Sequence, residues 1–321
     1  MRLCRFIHEG KPVVGFYDER RIVPLQAAAG ACAASTGNEV EACASDDLLA
    51  FLPPDGEFFE IAAELSRWIG RLDDTALGEI SVDSAESQLL IPNPQPNKLF
   101  LLAGNYAKHI EEGGEMAAER AETFPYVFMK PPTTTLTHPG APVRIPSVSP
   151  HSIDWELELG VVIGRGGKGI KESAALGHVA GYTVINDISD RKFRPNPNRK
   201  LREKDNFFDW LHGKWHDSAC PCGPCIASAD AIDDPQNLGM QLRVNGTLHQ
   251  DATTAQQIFP VAAVIEFISS FVTLEPGDMI STGTAAGVGN TTGTYLQPGD
   301  TIEASITSIG TLISPVVAEI G

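Results

Sequence analysis

The stretch Asp154-Trp155-Glu156-Leu157-Glu158-Leu159-Gly160-Val161-Val162-Ile163-Gly164 places two carboxylates two residues apart inside an apolar run. In an extended strand residues i and i+2 share a face, so Glu156 and Glu158 are expected to point the same way. The flank Val161-Val162-Ile163 is apolar on both faces, the pattern of a central, buried strand. Two bare carboxylates on a buried face repel each other, and each loses its hydration unless a positive charge compensates. A divalent cation is the economical compensation. A second apolar stretch, Gly181-Tyr182-Thr183-Val184-Ile185-Asn186-Asp187, ends in a third acid. Glu156, Glu158 and Asp187 are therefore the candidate metal ligands. Three carboxylates with waters completing the shell suit Mg2+ or Mn2+, with Ca2+ also admissible, whereas zinc prefers His or Cys. The competing reading puts both glutamates on an exposed edge strand. The apolar flanks and the second acid-ended strand argue against it.

Other residues have types that could serve such a centre. His109 and Glu112 stand three apart at the start of an expected helix, which puts both on one helical face. They are either a dyad, with Glu112 orienting a proton-accepting His109, or an exposed helix pair. Gly113-Gly114 behind them could hinge a lid formed by residues 110–125. Lys214 is either a solvated lysine or an ammonium that meets developing negative charge. Thr284 lies in a glycine-rich turn whose N–H groups could receive a carboxylate. Cys220-Pro221-Cys222-Gly223-Pro224-Cys225 is an incomplete zinc pattern, and these thiols are expected to pack beside Lys214. Residues 191–204 hold seven bases, expected to be a solvated loop that could also draw in an anion.

The elements that must position these residues can be sketched from the whole chain of 321 residues, too long for one average domain. Residues 1–95 are expected to form a small N-terminal α+β module, with a helix over 58–69. The proline-rich connector 91–97 leads into a catalytic domain over 96–321. There the pattern is mostly strands, with helices near 107–121 and at 258–270. Strand-rich with few helices points to a mainly β (α+β) fold, rolled or sandwiched, not a doubly wound sheet. The net charge of -17 disfavours nucleic acid. There is no run of about 18 apolar residues, so no membrane span is expected. The opening MRLCRFIHEGK carries charge where a signal peptide has an apolar core, so a cytoplasmic location with free thiols is expected. The sequons at Asn245 and Asn290 are then chance matches.

Over residues 98–320 an ordered series of motifs resembles the fumarylacetoacetate hydrolase family. Asp154-Trp155-Glu156-Leu157-Glu158-Leu159 is similar to its metal strand D-Y/W-E-x-E-L. Gly181 to Ser189 is similar to G-Y-x-x-x-N-D-V/I-S, which carries the third ligand. Gly104-Asn105-Tyr106-Ala107-Lys108-His109 resembles G-x-N-Y-x-x-H, compressed by one residue, and Phe128-Met129-Lys130-Pro131 resembles F-x-K-P. Lys214 opens a segment like K-x-F-D-x-x-x-P-x-G-P, and Thr282 to Gly289 is close to T-G-T-P-x-G-V-G. The chain departs from the pattern at Asp190-Arg191-Lys192, where the family often has A-R-D, and at Ala285, where it has proline.

The resemblance implies a mixed β-roll or β-sandwich catalytic domain, a homodimer and a Mg2+- or Mn2+-dependent site. It implies Glu156, Glu158 and Asp187 as metal ligands, and the His109–Glu112 dyad with Lys214 as catalytic groups. It further implies Asn105, Lys130, Arg191 and Thr284 as substrate contacts. The expected activity is hydrolysis of the C–C bond of a 2,4-dioxo acid (an acylpyruvate or fumarylpyruvate-like compound). Oxaloacetate decarboxylation or isomerisation of a dienoic diacid is the alternative, and a non-catalytic small-acid-binding protein the remote one.

Overall fold

Arg2–His8 and Lys11–Tyr17 form an antiparallel hairpin, closed by Glu9 and Gly10 with φ of 49° and 77°. Two successive positive φ values are what a tight two-residue hairpin turn demands. The computed structural model describes residues 1–37, 45–114, 116–118 and 120–319. Within them this hairpin is the start of a 12-stranded mixed sheet, not of a separate one. Arg2–His8 pairs with Cys220–Ser228, which is followed across the sheet by Val179–Asn186, Leu157–Ile163, Met279–Thr284, Leu99–Ala103 and Tyr126–Met129. The expected boundary near residue 95 therefore separates no sheet. The first 95 residues supply one wing of the sheet that carries the candidate ligands.

Alternating side chains send two apolar sets to opposite faces. Cys4, Phe6, Val161, Ile163 and Val184 join one buried cluster, which includes Met240, Leu242, Ile302 and Leu312 of a five-stranded second sheet. Leu3, Val162 and Ile185 join the other, with Ala28, Ala29 and Leu65 of the N-terminal helices. The large sheet is thus covered by a sheet on one face and by helices on the other. The fold is a strand-rich α+β sandwich, as its pattern suggested. Leu157–Ile163 is buried at every position, as its apolar flank required.

The expected helices at 58–69 and 258–270 are present as Phe59–Ile69 and Val261–Phe271. Pro260 sits at the N-cap of the latter, where its missing N–H costs nothing. The helix expected over 107–121 is only Ala107–Glu112. Gly113 and Gly114 stop it, with Gly114 at a φ of 83° that a helix cannot continue through. Residues 115 and 119 of that span, and Cys43, lie outside the described residues. Among the described residues no helix is long and apolar enough to cross a membrane.

Candidate active site

Glu158 lies in the strand Leu157–Ile163, but Glu156 does not. Residues 155 and 156 break the run between Ile153–Asp154 and Leu157–Ile163, so simple alternation does not aim the two carboxylates. The break is held by donors and acceptors from elsewhere. The Glu156 N–H donates to Asn186 Oδ1 at 2.9 Å, and the Asp187 N–H donates to Glu156 O at 2.9 Å. The Leu157 N–H donates to Gln250 Oε1 at 2.9 Å. Asp187 follows directly after the strand Val179–Asn186. One carboxylate oxygen from each of Glu156, Glu158 and Asp187 lies within 4.8 Å of the others, and all three residues are buried.

Three cations surround these acids. Lys214 Nζ donates to Asp187 Oδ2 at 2.6 Å and to Glu156 Oε2 at 2.8 Å. Lys130 Nζ lies 2.5 Å from Asp187 Oδ1. Arg191 Nη2 lies 2.5 Å from Glu156 Oε1, and its Nε donates to Asp154 Oδ2 at 2.7 Å. Burial opposes the charge on Glu156, but Arg191 and Lys214 outweigh it and hold that carboxyl well below its ordinary value. Burial likewise opposes the charge on Lys214, and Asp187 and Glu156 outweigh it to raise the ammonium.

Glu158 is treated differently. Among the described residues it forms no ion pair. Its Oε2 accepts from Ser281 Oγ at 2.6 Å and from the Gly283 N–H at 2.8 Å, while its buried Oε1 has no hydrogen-bond partner. Burial, then the charges of Asp187 and Glu156, push its carboxyl well above the ordinary range. A crowded carboxylate with an orphaned oxygen, facing two others, fits a hard divalent cation. Glu156, Glu158 and Asp187 would hold it, completing an all-oxygen donor set with water.

The Gly-Thr strand Met279–Thr284 serves this centre through its backbone. Its pairing with Leu157–Ile163 slips between Glu158 and Gly160. Gly283 there has a φ of 89°, and a Cβ on it would meet Asn105 Cβ at 2.8 Å. That conformation turns the Gly283 N–H onto Glu158.

Three expected substrate contacts have their polar groups engaged within the fold. Asn105 donates to Phe259 O and Thr282 O and accepts from the Phe259 N–H. The Thr284 hydroxyl donates to Leu157 O and accepts from Gln250 Nε2, buried within the sheet. Besides Asp187, Lys130 spends its ammonium on Ile188 O and Ala219 O. Arg191 stands at the centre, bound to Asp154 and Glu156.

His109 is brought to the centre, within electrostatic reach of Glu156, Arg191 and Lys214. Burial lowers its pKa against the pull of Glu156, so the imidazole is held neutral. Its Nδ1 is buried without a partner. Glu112 does not orient it: Glu112 Oε2 accepts from the Gly287 N–H at 3.1 Å, tying the short helix to the glycine loop. Among the described residues no hydrogen bond joins Glu112 to His109, so the dyad that the resemblance implied is not closed in this arrangement.

Cys220, Cys222 and Cys225 are buried in one strand, and burial pushes the Cys220 thiol up to about 12. Among the described residues they join no metal-ligand group. The basic loop is only partly solvated: Arg191 turns inward, and Arg199 is paired with Asp205 and Asp209.

Asp154, Ser281 and Gln250 brace the centre by hydrogen bonds and were not singled out from the sequence. Asp154 accepts from Arg191 Nε and from the N–H groups of Trp155, Gly289 and Asn290. It was legible as a third acid in the opening stretch. Ser281 and Gln250 had no local signal.

Residues 98–317 match the family model described as fumarylacetoacetate (FAA) hydrolase C-terminal. The chain is 40% identical over 232 residues to the mitochondrial oxaloacetate tautomerase fahd2 of Xenopus laevis, covering 71% of this chain and 68% of that one. It is 39% identical over 225 residues to the 2,4-didehydro-3-deoxy-L-rhamnonate hydrolase of a Sphingomonas species, covering 69% and 73%. Among solved structures it resembles the maleylpyruvate hydrolase of a Sphingobium species in complex with manganese (II) ion and pyruvate. That likeness has a TM-score of 0.69 at 27% identity and covers 100% of both chains. A fumarylacetoacetate hydrolase from Exiguobacterium antarcticum aligns with a TM-score of 0.73 at 27% identity, covering 99% and 100%.

Proposed function

The chain belongs to the fumarylacetoacetate hydrolase family, and from that premise we propose that it is a divalent-cation-dependent enzyme that hydrolyses the C–C bond of a 2,4-dioxo acid, releasing pyruvate and a carboxylic acid. The observation that carries this reading is the crowding of Glu156, Glu158 and Asp187, with Lys214 in contact with two of them. Two of the likenesses support the substrate class. A 2,4-didehydro-3-deoxy acid carries carbonyls at C2 and C4, and pyruvate, the product proposed here, sits with manganese in the Sphingobium structure.

A bound Mg2+ or Mn2+ would supply Lewis acidity to the 2-oxo acid end of the substrate. Lys214 brings a fixed ammonium to the same place, where negative charge develops as the C3–C4 bond breaks. His109, neutral by burial, accepts a proton from the water that attacks C4. The C3–C4 electron pair leaves with the pyruvate fragment, which takes up a proton, and the hydroxyl stays on the acyl fragment as a carboxylic acid. For Glu112 to orient His109, its contact with the Gly287 N–H must first exchange.

That open dyad favours a second reading. Tautomerisation of a 2-oxo diacid such as oxaloacetate needs the same centre and a proton shuttle, but no activated water. The likeness to the Xenopus tautomerase points the same way. Decarboxylation of oxaloacetate or isomerisation of a dienoic diacid would also use this centre.

The test is a turnover screen of acylpyruvates and oxaloacetate with Mg2+ or Mn2+, following pyruvate by a coupled assay and enol absorbance in parallel. Hydrolysis predicts pyruvate in step with a carboxylic acid, lost on chelation. It also predicts a fall of about 10²–10⁴-fold in His109→Ala, with Mn2+ affinity kept. Enol decay without pyruvate would select the tautomerase reading. No turnover of any of these acids would sink the enzyme reading.

A further inference from the structure

Among the described residues, no hydrogen bond or ion pair joins the Asp190 or His216 side chain to Glu156, Glu158 or Asp187. Asp190 is 4% exposed. Its Oδ1 accepts from Ser152 Oγ at 2.6 Å and from the Lys192 N–H at 3.2 Å, and its Oδ2 lies 3.3 Å from His216 Nε2. The His216 ring is steadied edge-on by Phe193, with centroids 5.0 Å apart. The Asp190 N–H also donates to Gly213 O at 2.9 Å. The two segments approach so closely that a Cβ on Gly213 would lie 2.5 Å from Asp190 O.

The consequence is positional. Arg191 follows Asp190 and reaches Asp154 and Glu156. Lys214 lies between Gly213 and His216 and reaches Glu156 and Asp187. Asp190 therefore grips the chain on both sides of Lys214, through Gly213 O and through the His216 ring, while carrying Arg191 at its own shoulder. Both residues depart from the family pattern quoted above. Asp190 stands at the alanine of A-R-D, and His216 at the phenylalanine of K-x-F-D. Alanine and phenylalanine could not make this contact, and in the folded chain the two departures meet.

We infer that Asp190 and His216 are a positioning pair that sets the Lys214 and Arg191 cations against the carboxylates, and so sets the affinity of the cation-loaded centre for a small dicarboxylate-like anion. The inference rests on the reading of Glu156, Glu158 and Asp187 as a cation site. Long cationic side chains are placed by the backbone beneath them, and a displacement of about 1 Å at such a site can cost 10²-fold.

The test uses the full chain, with Mn2+ alone and then oxalate added to the Mn2+-loaded protein, both by calorimetry. The variants are Asp190→Ala, His216→Phe, the double variant and His216→Gln, which keeps a donor at the Nε2 position. Mn2+ affinity stays within about threefold throughout. Each of the first two loses about 10- to 100-fold in oxalate affinity, up to the cost of a displacement of about 1 Å at such a site. The double variant loses no more than the worse single, because the contact that His216→Phe removes is already gone in Asp190→Ala. His216→Gln stays within about threefold of the unaltered chain for oxalate. Oxalate affinity unchanged in both singles, or losses that add in the double, would overturn the pair's role. If Asp190→Ala does not fold, the contrast between His216→Phe and His216→Gln decides alone, and equal affinities there overturn it. Failure of the unaltered chain to take up Mn2+ overturns the metal-centre reading itself, a separate result.

Discussion

Lys214 Nζ stands 2.6 Å from Asp187 Oδ2, in direct contact with a carboxylate of the candidate centre. The same ammonium reaches Glu156 at 2.8 Å, so two acids that would ligate a cation already share one positive charge. Lys214 is counter-charge to these carboxylates and would be neighbour to a cation held by them.

Removing that ammonium should therefore hurt the metal-free protein most. Lys214→Met leaves two buried carboxylates without their shared partner, a loss of about 3–5 kcal/mol. Mn2+ supplies the missing charge, so the rise in Tm on adding Mn2+ should be larger in the variant than in the unaltered chain. Thermal unfolding with and without Mn2+ measures both; equal rises would contradict the compensating role.

Glu158 makes cation uptake depend on pH. Its carboxyl is raised well above the ordinary range by burial and by Asp187 and Glu156. The folded chain thus holds a proton that the unfolded chain releases. This group's contribution to the stability of the metal-free fold is full below the ordinary carboxyl value and lost as pH rises through the raised one. A cation needs the ionised form, so Mn2+ affinity should climb with pH over that window and then level off, with a proton released on binding. Calorimetry in buffers of differing ionisation enthalpy would detect that proton, and its absence at mildly acidic pH would count against the assignment.

Ser281→Ala removes the hydroxyl that donates to Glu158 Oε2 at 2.6 Å. Such supporting partners are worth about 10- to 100-fold in metal affinity. We expect a loss of that size for Mn2+ with a small change in Tm. An unchanged affinity would mean that the Gly283 N–H alone orients Glu158.

Asn105→Ala should behave as a framework lesion. It strands Phe259 N–H, Phe259 O and Thr282 O in the interior, where unsatisfied groups cost about 1–3 kcal/mol each. Denaturant unfolding should show a loss on the order of 3 kcal/mol, the lower end of that sum after local relaxation. A variant of full stability with a raised KM would restore the substrate contact that its motif suggested.

Much of the centre was legible because the evidence for it is local. Glu156, Glu158 and Asp187 sit in or beside long apolar runs, and a charge in such a run must be compensated wherever the chain folds. The roles of Asn105, Lys130 and Thr284 were not legible in the same way. Each is polar, near a motif and consistent with ligand binding, and what decides its role is a partner far off in sequence. Asn105 meets Phe259 and Lys130 meets Asp187 and Ala219, contacts that no window along the chain contains.

The sequence by itself determined that this is a strand-rich chain with three acids in or beside buried apolar runs, because alternation, apolar runs and carboxylate spacing are properties of neighbouring residues. Only the tertiary structure decided which charges answer those acids. It placed Glu156 outside the strand, gave Glu158 no ion pair among the described residues, joined the first strand to Cys220–Ser228 in one sheet, and brought Asp190 to His216. Those are long-range choices, made by which backbone groups and side chains meet when the sheets pack.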